Sequence, residues 1–75
     1  MPRVEAAHLR AAANHDRAAT VHEQAAELFD GAGLHSLARE ERARARCDRD
    51  GAAAEREHAR LRRQRNGPGS EPEEP

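Results

Sequence analysis

A seven-residue repeat runs through the first half of the chain and constrains its fold more than any other feature. After Glu5 the sequence reads AAHLRAA, ANHDRAA, TVHEQAA and ELFDGAG. The third place of successive repeats holds His8, His15, His22 and then Phe29. A strict seven-residue period keeps one face of an α-helix turned toward a neighbouring helix. The repeat therefore predicts a coiled-coil-like helix that packs against a partner helix.

Two long helices separated by a short turn are predicted. No Gly or Pro interrupts residues 3–30, and Gly31-Ala32-Gly33 then supplies residues that commonly end a helix. A second helix is expected over about 34–64, with Ser36 as a candidate N-cap. Asp50-Gly51 is a weak point inside it, because Gly costs about 1 kcal/mol relative to Ala in a helix. The chain is thus predicted to be all-α, an antiparallel two-helix hairpin.

The hairpin is expected to be the one folded unit, over residues 1–65. Residues 66–75 read NGPGSEPEEP, which is rich in Gly, Pro and Glu. Such a segment has too little apolar surface to offset the entropy of ordering it. We therefore predict a disordered acidic tail after the hairpin.

The predicted core is poor in large apolar side chains. Burying apolar area yields only about 25 cal/mol per Å², so an interface of Ala stabilises a hairpin less than one of Leu. Small folds with weak cores commonly gain stability by self-association. On the second helix, one line of apolar residues would face the first helix, and it consists of Ala38, Ala45, Ala52 and Ala59. Another line, nearly opposite, would face a second copy of the chain, and it consists of Ala43, Cys47, Ala54 and Leu61. We expect the hairpin to dimerise into a four-helix bundle.

The residues best placed for helix contact form what we call the interaction seam. Imidazoles seven residues apart on a helix are separated by about 10.5 Å along its axis, so neighbouring seam imidazoles do not share one metal ion. We expect them to fill the seam and to form hydrogen bonds with Glu or Asp across it. The seam consists of Ala11, His15, Ala18, His22, Ala25 and Phe29 on the first helix and of Ala38 and Ala45 on the second.

A His-dependent metal site is an alternative that the sequence favours less. Glu5 and His8, and again Glu55 and His58, have the Glu-x-x-His spacing of helix-borne di-iron carboxylate sites. His58, however, lies about 100° round the second helix from the line of alanines that would face the first helix. The sequence therefore predicts solvated side chains here, with no metal ligand and no cofactor.

An Arg-rich stretch in the second helix suggests another alternative, binding to nucleic acid. Arg side chains neutralise phosphates, and Arg56, Arg60 and Arg63 are the candidate contacts. No aromatic residue follows them for base stacking, and no recognition-helix motif is present. The interpretation we favour is a solvated charged face.

The remaining composition points to no enzyme and no membrane protein. The one cysteine, Cys47, is more typical of helix packing than of catalysis, and it fits a reducing compartment. No apolar run approaches the length of a membrane span or of a signal peptide core. We expect a soluble cytoplasmic protein, a non-enzymatic module for self-association or for contact with another helical protein.

Residues 15–45 carry a resemblance to known sequences. This stretch, HDRAATVHEQAAELFDGAGLHSLAREERARA, resembles short uncharacterised helical-hairpin proteins, rich in Ala, Arg and His, of high-GC bacteria such as actinobacteria. The resemblance implies a helical hairpin and brings no known activity.

Overall fold

The structure, a computed structural model, describes residues 3–66 as two helices. The first, α1, spans Arg3–Gly31, and the second, α2, spans His35–Asn66. The described residues contain no strand, and side chains near the start of α1 contact side chains near the end of α2. The predicted antiparallel helical hairpin is therefore confirmed. Asn66, which was assigned to the acidic tail, ends α2, and the rest of that tail lies outside the described residues.

A glycine-dependent turn joins the helices. Gly33 has a φ of 78°, a left-handed conformation that glycine adopts without steric cost. Its N–H donates to the carbonyl of Asp30 at 3.0 Å, and the N–H of Leu34 donates to the carbonyl of Phe29 at 2.8 Å. These two bonds form the Schellman motif that satisfies the last carbonyls of a helix. Gly33 is therefore the residue that stops α1, whereas Gly31 still belongs to the helix.

The second helix starts where the sequence predicts, but its N-cap differs from the prediction. The helix begins at His35, so Ser36 lies inside its first turn and does not cap it. The hydroxyl of Ser36 instead accepts a hydrogen bond from the guanidinium of Arg39 at 3.1 Å. The first turn of α2 follows the Schellman motif directly. The carbonyl of Leu34 accepts the first hydrogen bond of α2, from the N–H of Ala38 at 3.1 Å.

Alanine makes up the whole buried apolar core of residues 3–66. No large side chain is fully buried there, and the only buried charged residue is Glu5. The small side chains form one line on each helix with a period of seven residues, which lets the two backbones approach closely. These lines are Ala12, Ala19 and Ala26 on α1, and Ala38, Ala45, Ala52 and Ala59 on α2.

The centre of the contact is therefore displaced by one residue from the predicted seam on α1. Ala11, Ala18 and Ala25 are half-buried and lie at the edge of the contact, while the residue after each of them is fully buried. On α2 the seam residues Ala38 and Ala45 are buried at the centre.

Neither helix, over the described residues, has the length and apolar character needed to cross a membrane.

Candidate functional site

One edge of the helix contact is a set of histidine–carboxylate pairs, which we call the His ladder. Each imidazole donates from Nδ1 to a carboxylate of α2. As the histidine advances by seven residues along α1, its partner retreats by seven along α2, so the antiparallel register is kept throughout. The pairs are His8 with Glu55 at 2.6 Å, His15 with Asp48 at 3.0 Å, and His22 with Glu41 at 2.6 Å.

The His ladder confirms the predicted hydrogen bonds between seam imidazoles and acids. The side chains of His8, His15 and His22 are 31%, 41% and 30% exposed, so the imidazoles border the Ala core without being enclosed by it. Hydrogen bonding stabilises the ionised form of the acids. The bond from His22, followed by that from Arg44, lowers the pKa of Glu41.

The opposite edge of the contact is a second set of ion pairs, the Arg ladder. Here α1 supplies the acids and α2 the guanidinium groups. Asp16 contacts both Arg49 and Arg56, and these bonds, from Arg56 first, lower the pKa of Asp16. The remaining pairs are Glu23 with Arg49 at 2.8 Å and Asp30 with Arg42 at 2.5 Å. One edge thus pairs imidazoles of α1 with carboxylates of α2, and the other pairs carboxylates of α1 with guanidinium groups of α2. This difference determines which sides of the two helices meet.

The three arginines proposed as nucleic-acid contacts all face carboxylates. Arg56 binds Asp16 in the Arg ladder. Arg60 pairs with Glu57 on the same helix at 2.5 Å, and Arg63 reaches the buried Glu5 on α1, with 3.1 Å between Nε and Oε2. Their charges are therefore partly neutralised within the chain.

At the open end of the hairpin, His58 joins the last pair of the His ladder. The ring centroids of His8 and His58 are 5.2 Å apart in an edge-on arrangement. One ligand atom each from His8, Glu55 and His58 lies within 4.8 Å of the other two. We call these three residues the histidine cluster. The sequence offers these three residues among its Glu-x-x-His candidates but favours solvated side chains, because the angle of His58 is there measured from the Ala line and not from His8, which itself lies on that side of α1.

The histidine cluster does not include the other predicted Glu-x-x-His acid. Glu5 occupies the buried line of α1 and pairs with Arg63. The two Glu-x-x-His segments therefore contribute unequally, with two residues from α2 and one from α1.

An uncharged face extends along α1 beside the His ladder. It combines two neighbouring lines of residues on α1, each with a period of seven residues. None of these residues is charged, although charged residues make up 36% of the chain. Val21 and Leu28 in this face are 61% and 76% exposed. The uncharged face consists of Val4, Ala7, Ala11, Asn14, Ala18, Val21, Ala25 and Leu28. It contains the three alanines of the predicted seam that the helix contact leaves half-buried.

A groove of about 660 Å³ lies on the other side of the hairpin, beside the Arg ladder. Its lining is mostly charged and includes neither an imidazole nor a thiol. The lining residues are Glu23, Glu27, Arg42, Ala45, Arg46, Arg49 and Asp50.

No family model matches the chain, and neither a curated protein nor a solved structure is significantly similar to it. Its function has to be argued from its own residues.

Proposed function

We propose that the protein is a self-associating helical module, in which two hairpins pack through their uncharged faces into a four-helix bundle. The observation that carries this proposal is the uncharged face itself. A solvated helix in a charge-rich chain ordinarily carries charges on its outer lines, and the opposite side of this hairpin does so. Apart from Asn14 the face is apolar, and Val21 and Leu28 in it are largely exposed. Apolar surface left in contact with solvent in this way is typical of interaction sites.

The weakness of the core supports the same proposal. Apart from Glu5, the helices bury only alanines against each other within residues 3–66, and each buried Ala removes little apolar area from water. Larger apolar side chains, among them Val21 and Leu28, remain exposed. Packing these side chains against a second hairpin would bury the apolar area that the single hairpin leaves in water.

A second copy is the partner we propose, because the uncharged face carries nothing that selects a charged partner or repels its own copy. The net charge of the chain is only −1, so two copies repel each other weakly. Twofold symmetric dimers are also the commonest oligomers of soluble proteins. The half-buried Ala11, Ala18 and Ala25 would allow close approach of the two α1 helices.

Charges introduced on the uncharged face test the proposal. The variant with both Val21→Glu and Leu28→Glu places two carboxylates in the contact, where burying an unpaired charge is costly. We expect it to sediment at half the mass of the unmodified protein. The matched control carries Thr20→Glu and Gln24→Glu, which add the same charge at exposed positions of α1 outside the uncharged face. We expect the control to keep the mass of the unmodified protein.

Two results would contradict the proposal. One is a Val21→Glu, Leu28→Glu variant that retains both its helicity and the mass of the unmodified protein. The other is an equal loss of mass in both variants, because added charge alone would then explain the effect.

A further inference from the structure

We propose that His8, Glu55 and His58 form a binding site for one divalent transition-metal ion, such as Zn²⁺. The three side chains come from both helices and meet at the end of the hairpin opposite the turn. Their ligand atoms lie within 4.8 Å of one another. Glu55 and His58 are three residues apart, a spacing that places two ligands on one side of a helix.

The ligand set favours a borderline metal over Mg²⁺ or Ca²⁺. Two imidazoles and one carboxylate are a common set of three protein ligands for zinc, and a solvent molecule takes the fourth position. Mg²⁺ and Ca²⁺ prefer sites made of oxygen ligands. His58 is exposed, so the cluster is open to solvent on one side, and solvent can supply the fourth ligand.

The cluster needs only a small rearrangement to hold the ion. Tetrahedral ligands with bonds of about 2.1 Å to zinc stand about 3.4 Å apart. The separations of up to 4.8 Å to His58 must therefore shorten by at most roughly 1.5 Å, which side-chain rotation of the exposed His58 can supply. His8 Nδ1 and Glu55 Oε1, which are 2.6 Å apart across a shared proton, must instead separate by about 0.8 Å. The ion takes the place of that proton, which is released to solvent.

The other two pairs of the His ladder provide an internal comparison. In each pair the residue three positions after the acid of α2 occupies the place of His58. After Glu41 that residue is Arg44, whose guanidinium binds the same carboxylate at 2.5 Å. After Asp48 it is Gly51, which has no side chain. Only the pair at the open end therefore has a second imidazole within the described residues.

A bound ion would join α1 to α2 where no turn connects them. A ligand that binds the folded state and not the unfolded chain stabilises the fold in proportion to the logarithm of its free concentration. We expect Zn²⁺ to raise the melting temperature of the hairpin progressively as its free concentration exceeds the Kd. EDTA should reverse the effect.

The test is calorimetric titration of the full, untagged chain with ZnCl₂, together with thermal melts followed by circular dichroism. We expect one Zn²⁺ per chain. CaCl₂ and MgCl₂ serve as comparison salts and should give neither heat of binding nor a shift in melting temperature. Binding of Co²⁺ in place of Zn²⁺ should give the intense visible absorption of a tetrahedral site.

Matched histidine variants locate the site. His8→Ala and His58→Ala should each weaken Zn²⁺ binding by at least about tenfold, since even the loss of a group that only supports a ligand costs about that much. His22→Ala removes an imidazole from the same ladder and should leave the affinity unchanged. Helicity measured without metal shows whether each variant folds, and His58→Ala is expected to fold because its side chain is exposed.

Three outcomes would overturn the proposal. The first is the absence of Zn²⁺ binding to the folded chain. The second is an affinity in His58→Ala equal to that of the unmodified protein, or an equal loss in His22→Ala. The third is a stoichiometry of one ion per two chains, which would place the metal between copies and not within the hairpin.

Discussion

The imidazole of His15 lies directly over the backbone of Gly51. A Cβ added to Gly51 would stand 3.1 Å from Nε2 of His15 and 3.2 Å from two carbons of the same ring. The sequence marks Gly51 as a weak point of the second helix, and the helix continues through it. The absent side chain makes room for the ring that binds Asp48 at 3.0 Å.

We predict that the effect of Gly51→Ala depends on His15. Ala in place of Gly stabilises a helix interior by about 1 kcal/mol, but here the new methyl group must push the ring away from Asp48. The gain should therefore be larger in a His15→Ala background, with a coupling of at least about 0.5 kcal/mol. Urea unfolding of the four proteins measures it. The same substitution in a His22→Ala background is the control, and equal effects in the His15→Ala and unmodified backgrounds would refute the contact.

Gly33 and Gly31 should respond oppositely to replacement by Ala. Gly33 has a φ of 78°, a conformation that costs a residue with a Cβ about 1–2 kcal/mol. Gly31 is helical, and a Cβ there would meet nothing within 4 Å. We expect Gly33→Ala to lower the free energy of unfolding by about 1 kcal/mol or more. Gly31→Ala should leave it equal or raise it by up to about 1 kcal/mol. Stabilisation by Gly33→Ala would contradict the assigned turn.

A larger side chain in the centre of the helix contact should destabilise the hairpin. Ala19 has no exposed surface, so Ala19→Leu adds three carbon atoms where the helices meet. Overpacking of this kind costs about 1–3 kcal/mol. Ala53 is exposed, and Ala53→Leu is the matched control, with an expected change below about 0.5 kcal/mol. Equal stability of the two variants in thermal unfolding would show that the Ala lines are not in close contact.

We expect the free energy of unfolding to decrease in acid, because protonation of Glu41 removes its pairing with His22. The pKa of Glu41 is lowered from 4.5 by hydrogen bonds from His22 on α1 and from Arg44 on α2. Asp48, also on α2, is the other acid near His22, with 3.7 Å between its Oδ2 and Nε2 of His22. A carboxylate whose pKa is lower in the folded state adds stability above its unfolded pKa and loses it as pH falls through its folded pKa. The contribution of Glu41 should therefore be complete well above pH 4.5 and disappear below it.

Thermal melts from pH 7 to pH 3 measure this dependence. We expect Glu41→Gln to lower the melting temperature at pH 7 and to make its decline in acid shallower. Glu40→Gln is the matched control, because Glu40 is exposed and stands 4.0 Å from its nearest guanidinium, that of Arg44. The assignment would fail if Glu41→Gln and the unmodified protein declined in parallel.

The sequence predicts the secondary structure correctly, but it does not predict which line of alanines on α1 is buried in the helix contact. The helix bounds follow within two residues from the heptad repeat and from the Gly-Ala-Gly turn. The repeat, however, ends in two alanines, as at Ala11-Ala12 and Ala18-Ala19, and either can form the buried line. The choice depends on pairing across the interface, where His22 meets Glu41, and single-helix periodicity does not contain that information.

The sequence favours solvated side chains over the histidine cluster for a related reason. His58 does lie about 100° from the Ala line of α2, as its position in the sequence predicts. His8 lies about 40° from the Ala line of α1 toward the same edge, and the small core brings the two helices close together. The contact is a property of both helices in register, so no helical wheel of one helix could show it.

Self-association is the central claim, and sedimentation equilibrium of the unmodified chain over a wide range of concentrations tests it most directly. The chain has a mass of 8.3 kDa. We predict a fitted mass of twice that value, with dissociation on dilution accompanied by loss of helicity. A mass of 8.3 kDa at every concentration, with the circular dichroism of an intact hairpin, would contradict the account.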